Sequence, residues 1–190
     1  MALLHVAGID QGFLPTLGVH FLALLYEAMD ADPRSVLLVE RSASGEVIGF
    51  VSGGRGMGSI YRHMLRRWPQ LVVALLPSVL DPRKLKRIIE ILWFSRQQKP
   101  VPGCPQSELF SIAVAGAARG TGVAQRLYKS LEAHFARQGE PAFCIVVGDT
   151  LAPAHRFYRK MGAVLLAHIS VHAGQGSTVY RHDVKVGLSR

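Results

Sequence analysis

The chain has 190 residues, 49% of them hydrophobic, and a formal net charge of +9, which is enough apolar material for one well-buried core spanning residues 1–190. The apolar run Leu71–Leu76 stops at Pro77, far short of the roughly 20 residues of a membrane-spanning helix, and Met1–Gln11 carries no Lys or Arg ahead of its apolar residues. No transmembrane segment and no secretory leader are therefore expected, and a cytoplasmic location is. The two cysteines, Cys104 in a proline-rich stretch and Cys144 in an apolar run, form neither a disulfide framework nor a metal-ligand pattern and are expected as free thiols, Cys144 buried. The positive charge is concentrated: between Arg55 and Lys99 ten basic residues face only Asp81 and Glu90.

In chain order, Leu17, Phe21, Leu24, Leu25 and Ala28 recur at helical spacing and predict a helix ending before Asp32-Pro33. Val36–Glu40 and Val47–Ser52, with Ser44-Gly45 between them, predict an antiparallel hairpin closed by Gly53-Gly54. From Gly56 to Gln106 the pattern changes. Tyr61, Met64, Leu65 and Trp68, and again Leu85, Ile88, Ile89 and Leu92, fit short amphipathic helices punctuated by Pro69, Pro77 and Pro82. Leu109–Val114 is a strand, followed by a helix with Ala124, Leu127, Tyr128, Leu131 and Phe135 on one face and Gly139 as its stop. The apolar strand Ala142–Val147, a helix from Pro153 to Met161 ended by Gly162, and two strands, Val164–Val171 and Thr178–Val184, complete the chain.

The turn Ala115–Gly122 lies between a strand and a helix and holds Arg119-Gly120-Thr121-Gly122-Val123-Ala124. Free N–H groups at a helix start favour anions, and glycines admit close approach of phosphate oxygens. A dinucleotide fingerprint would need glycine where Gln125 stands, and the Lys-Ser/Thr of a P-loop is absent. The pattern Arg/Gln-x-x-Gly-x-Gly/Ala is satisfied by Arg119, Gly122 and Ala124, directly after Ser111-Ile112-Ala113-Val114. With Ala154-His155-Arg156-Phe157-Tyr158-Arg159-Lys160-Met161-Gly162, which resembles an Ala-x-x-x-Tyr-x-x-x-Gly segment at the usual distance, the chain resembles the GNAT superfamily of N-acetyltransferases. The resemblance covers Leu109 to about Val184 well and Leu17–Gly53 more loosely; Gly116 stands where the family often has proline, and Leu151 where it often has asparagine.

The resemblance implies an α/β fold with a mixed, mostly antiparallel sheet flanked by helices, carrying the basic helical segment of about residues 56–106 as an insert between strands 3 and 4. It implies acetyl-CoA as cosubstrate and no metal. Backbone groups of Ile112, Ala113 and Val114 would hold the pantetheine arm, and the amides of Arg119, Gly120, Thr121, Gly122, Val123 and Ala124 the pyrophosphate. Tyr158 would protonate the departing thiolate. The amine must attack as its free base: at pH 7 this costs about 5 kcal/mol for a lysine-like amine of pKa ~10.4 and about 1 kcal/mol for an α-amine near ~7.8. Glu108, at the start of the strand and about 20 Å of extended chain from Val114 at ~3.3 Å per residue, is the candidate base at the acceptor end.

Other residues read as structure. His168 and His172 share a strand face without a third ligand, and His155 reads as a surface residue. The basic segment is compatible with a solvated face, with an anionic acceptor such as an amino sugar, and with an anionic surface. Three functions stay open: acetylation of a small amine, acetylation of a protein N-terminus or lysine, and a nucleic-acid- or membrane-surface-binding module with a vestigial core. A homodimer is compatible with each.

Overall fold

Residues 1–9, 14–79, 101–172 and 175–184 are described by the computed structural model. Six strands form a single mixed sheet in the order β1-β2-β3-β4-β6-β5. The hairpin of β1 (Ser35–Arg41) and β2 (Val47–Gly54) turns at Gly45, whose φ of +83° suits a residue without Cβ. The second strand continues through Gly53 and Gly54 instead of ending there, pairing with β3 (Glu108–Val114). All neighbours are antiparallel except β3 and β4 (Ala142–Gly148), which run parallel. Strands β5 (Val164–His172) and β6 (Gln175–Asp183) close the far edge.

The two faces of the sheet carry separate cores. Helix α1 (Ala2–Gly8), a short 3-10 turn at Leu14–Leu17, α2 (Val19–Asp30), α3 (Gly58–Arg66) and α4 (Trp68–Val79) lie together, burying Phe21, Leu22, Leu25, Met29, Phe50 and Ile60. On the other side α5 (Val123–Arg137) buries Val123, Leu127, Tyr128, Leu131 and Phe135 against Val51, Leu109, Phe143 and Ile145. Helix α6 (Ala152–Lys160) adds Tyr158 to that core and stops at Gly162, φ +91°.

Four expectations change. The N-terminal residues form a helix that no spacing argument flagged, and the basic segment, expected between strands 3 and 4, follows the second strand and precedes the third. Prolines 69 and 77 do not interrupt α4: Pro69 sits in its first turn, where no intrahelical N–H is needed, and Pro77 in its last. Cys104 and Cys144 are joined as a disulfide, with Cα atoms 5.9 Å apart, and not free. Pairing of Glu108 with Cys144 carries the stretch just before β3 onto β4, which brings the thiols together. The expected helix around Leu85–Leu92 and six of the basic residues, from Arg83 to Lys99, lie outside the described residues.

Candidate active site

The site arises where the two parallel strands part. Only Glu108↔Cys144 and Leu109↔Ile145 are paired between β3 and β4. Beyond them β3 stays bonded to β2 as far as Val114, and β4 to β6 as far as Gly148. The edge of Phe110–Val114 that faces β4 therefore lacks a strand partner. The opening is a cleft of about 600 Å³, lined by Leu109–Val114 on one wall and by Val146, Val147, Leu151, Pro153, Ala154, Phe157 and Tyr158 on the other. Gly8 and Ile9 of the unforeseen α1 segment also line it. A Cβ on Gly8 would come within 3.3 Å of the Cβ of Ala113, so glycine lets α1 press against β3.

A bulge in β3 sorts its side chains. Ser52 faces Ser111 and Gly53 faces Leu109, leaving Phe110 without an opposite residue. Leu109, Ile112 and Val114 therefore join the α5 core, whereas Phe110 and Ala113 join the α2 core. Glu108 follows the second set and stands against Tyr61 of α3, whose phenol is raised by burial and by the Glu108 charge. Burial pushes the Glu108 carboxyl itself up to about 7, into the range where a carboxylate is half ionised at neutral pH and can take up and release a proton. The carboxylate is half-buried, not the solvated strand end that its sequence position also allowed, and it stands just outside the cleft lining, which begins on β3 at Leu109.

At the other end of the cleft, β3 runs through a 3-10 turn at Gly116–Ala118 into α5. Gly120 and Gly122 have φ of +80° and +83°, and Gly122 caps the helix without a side-chain hydrogen bond. No acid lies in the first turn, so the N–H groups that open α5 have no partner within the helix and face a favourable dipole for an anion. A Cβ built on Gly116 or Gly120 would meet nothing within 4 Å, so the turn has open space beside its backbone. Arg119 and Gly120 line the cleft with Ala124. Thr121 turns its hydroxyl to Ala118 O at 2.7 Å and Val123 packs inward, so these two serve the turn's shape through their side chains.

Tyr158 lines the same cleft from α6, packed against Tyr128, Phe157 and Tyr180. Burial raises its pKa, which keeps the phenol protonated through the neutral range. Neighbouring His155 is buried and not on the surface: its Nδ1 lies 2.8 Å from the Tyr180 hydroxyl and its Nε2 3.1 Å from Gly148 O. It ties α6 to β4 and β6. A third group went unread in the sequence. His5 lies 2.6 Å from the Tyr26 hydroxyl, which reaches Ser111 on the cleft wall, and burial lowers the imidazole to about 4. Among the described residues no group of three or more His, Cys, Asp or Glu could hold a metal ion. His168 Nδ1 lies 3.2 Å from the Thr178 hydroxyl.

The sequence profile of the Acetyltransferase (GNAT) family matches residues 9–163. The chain belongs to the GNAT family. Acetyl-CoA is that family's general cosubstrate, and acyl transfer its chemistry. Among solved structures the chain is similar to SsHAT, at 17% identity, a TM-score of 0.64 and coverage of 95% of this chain and 85% of that one. An N-acetyltransferase from Staphylococcus aureus Mu50 shares 15% identity, with a TM-score of 0.59 and coverage of 97% and 92%. A histone acetyltransferase HPA2 and related acetyltransferase from Corynebacterium glutamicum shares 19%, with a TM-score of 0.59 and coverage of 96% and 88%. No curated protein matches. At these identities the structural likeness speaks for the GNAT fold alone.

Proposed function

We propose that this GNAT chain acts as one domain that transfers an acetyl group from acetyl-CoA to the primary amine of a small, anionic molecule such as an amino sugar, in the cytoplasm. The observation that carries the reading is the separation of β3 from β4 after Leu109↔Ile145, which leads from the Glu108 end to the open N–H groups of α5. Acetyl-CoA fits the residues present. The unpartnered edge at Ile112, Ala113 and Val114 offers main-chain groups to an amide-bearing arm, and the turn offers the N–H groups of Gly120, Gly122, Val123 and Ala124 and open space to a diphosphate, those of Arg119 and Thr121 being donated to Gly116 O and Ala118 O within the turn.

The cosubstrate supplies an activated acyl group, and the chain's own groups manage the protons. Glu108, with its carboxyl near neutrality, takes the proton that the amine must lose; Tyr158, held protonated, donates one to the departing sulfur. The reading of an anionic acceptor rests on the exposed Arg62 and Arg66 of α3, the helix that brings Tyr61 to Glu108.

Two measurements test the proposal. Calorimetric titration with coenzyme A gives a binding isotherm for the native chain and none for Gly122→Glu, where a carboxylate meets the phosphates and a side chain is forced into positive φ. Absence of heat and of thermal stabilisation in the native chain at millimolar coenzyme A would remove the transferase reading. Thiol release across amino sugars, polyamines, amino acids and peptides then identifies the acceptor; turnover with peptides alone would replace the small-molecule assignment.

A further inference from the structure

Helix α4 is apolar almost all round. From Trp68 to Leu76 its only polar side chain is Gln70. A helix of this composition normally has every face covered. Here Leu71, Ala74 and Leu75 turn inward to the α2 core, while on the opposite arc Trp68 is 65% exposed, Val72 54%, Val73 71% and Leu76 53%. Leu65, at the end of α3, adds a further exposed side chain at 61%. Helix α3, which packs on α4, carries the exposed Arg62 and Arg66, which share a surface depression with Asp32 and His63, while Arg67 is already paired with Glu27.

We propose that the α3–α4 surface docks the protein on an anionic lipid bilayer. The occupant follows from the two properties together. Apolar side chains including a tryptophan, flanked by arginines, are what a surface-seated helix presents to acyl chains and headgroups. Neither property alone holds a protein on a bilayer, but a basic cluster adds to apolar insertion. A nucleic acid would meet the arginines but leave Leu65, Val72, Val73 and Leu76 facing phosphates. A second copy docked by the same surface would bring Arg62 and Arg66 of both chains together, a like-charge cost, since the acids nearest them, Asp32 and Glu27, are already paired with Arg34 and Arg67 within the chain.

Docking of this kind has an orientation. The face lies on the helices that pack against α2, and α3 is also the element whose Tyr61 stands by Glu108. The Glu108 end of the cleft is thereby the end nearest the bilayer, and the phosphate-facing turn at Gly120–Gly122 lies at the other end of β3. On the acetyltransferase reading above, this orientation favours amines carried at a membrane surface; the docking itself does not depend on that reading.

The test is co-sedimentation of the full chain with vesicles of phosphatidylcholine alone and of phosphatidylcholine mixed with phosphatidylglycerol. The mixed vesicles bring down the protein and the neutral ones do not, and the bound fraction falls as salt rises. Arg66→Ala weakens partitioning about fivefold, the equivalent of about 1 kcal/mol per basic residue near the surface. Trp68→Asp with Val73→Asp abolishes sedimentation while leaving circular dichroism and the coenzyme A isotherm unchanged, since both side chains are exposed and remote from the cleft. No sedimentation of the native chain overturns the proposal. So does vesicle binding that survives the double substitution, which would assign the attraction to the basic residues beyond α4. A self-association lost in the double variant, without vesicle binding, would assign the face to a second copy. Duplex DNA binding unaffected by the double substitution, with no vesicle binding, would assign the charge to nucleic acid.

Discussion

Replacing Glu108 by Gln is expected to make the protein slower and, above neutral pH, more stable. The carboxyl has an ordinary value of 4.5 and is pushed up to about 7 by burial. In the unfolded chain it ionises near its ordinary value. Between about 4.5 and 7 the unfolded state has therefore given up a proton that the folded state keeps. Stability contributed by this group falls as pH rises through that window and is at its lowest above 7. At about 1.36 kcal/mol for each pKa unit, a shift of this size is on the order of 3 kcal/mol. Gln cannot ionise, so the variant should exceed the native chain by up to that amount at pH 8 and match it near pH 4. In a chain of this length that is a rise in Tm of roughly 6–12 °C at the alkaline end. The native curve alone would hide the effect, because His5, lowered to about 4 by burial, destabilises the fold in the opposite direction as pH falls from 6.5. The difference between variant and native chain cancels the histidine. Urea unfolding at a series of pH values measures it. Turnover should drop about 10²–10⁴-fold, and native activity should rise through a single ionisation near pH 7. A stability difference that is constant with pH, or largest in acid, would refute the burial argument.

Tyr158→Phe should lower turnover by at least about 10²-fold and leave coenzyme A affinity nearly unchanged, since the phenol reaches into the cleft but not into the phosphate turn; unchanged turnover in a stopped thiol-release assay would take the tyrosine out of the chemistry. Gly49→Ala should cost about 1–3 kcal/mol in urea unfolding, because its Cβ would meet Val123 Cγ1 at 2.9 Å and Leu127 Cδ1 at 3.0 Å. Alkylation of the denatured, unreduced protein should label neither Cys104 nor Cys144, and reduction should lower stability by about 2–4 kcal/mol, as loss of a crosslink over a separation of 40 residues implies; full labelling before reduction would contradict the bond.

What the sequence made legible was local. Periodicity located α2, α5 and the strands because an amphipathic helix repeats every 3.6 residues and a half-covered strand every two. Gly139 and Gly162 ended their helices as expected, each with positive φ. Features that depend on two distant segments were not legible. The α1 helix is seven residues long and is held by tertiary contacts such as His5 with Tyr26, twenty-one positions away, so no spacing pattern announces it. The disulfide needed the register of β3 against β4, which nothing in either strand alone specifies. His155 read as an exposed helix residue because its partners, Tyr180 and Gly148, come from β6 and β4. The glycine turn Arg119–Ala124, proposed to hold the cofactor, was legible as a motif, but its division into cleft-lining Arg119, Gly120 and Ala124 and inward-facing Val123 required the packing of α5.

That packing links the two ends of the cleft. Glycine at 49 and 53 thins β2 where α5 crosses it: a Cβ at Gly49 would strike Val123 and Leu127, and one at Gly53 would lie 2.8 Å from Glu108 O and about as close to Leu131. The first contact sets how low the N-terminus of α5 sits, hence where its open N–H groups stand relative to Ala113 and Val114. The second acts on the backbone at the start of β3, beside the bulge that turns Glu108 toward Tyr61. One helix resting on a glycine-thinned strand therefore fixes both the Gly120–Gly122 turn and the Glu108 carboxylate toward the opposite end of β3. A small residue at either position is a requirement of the proposed site as much as of the core, because any side chain there lifts α5 and shifts the Gly120–Gly122 turn and Glu108 together.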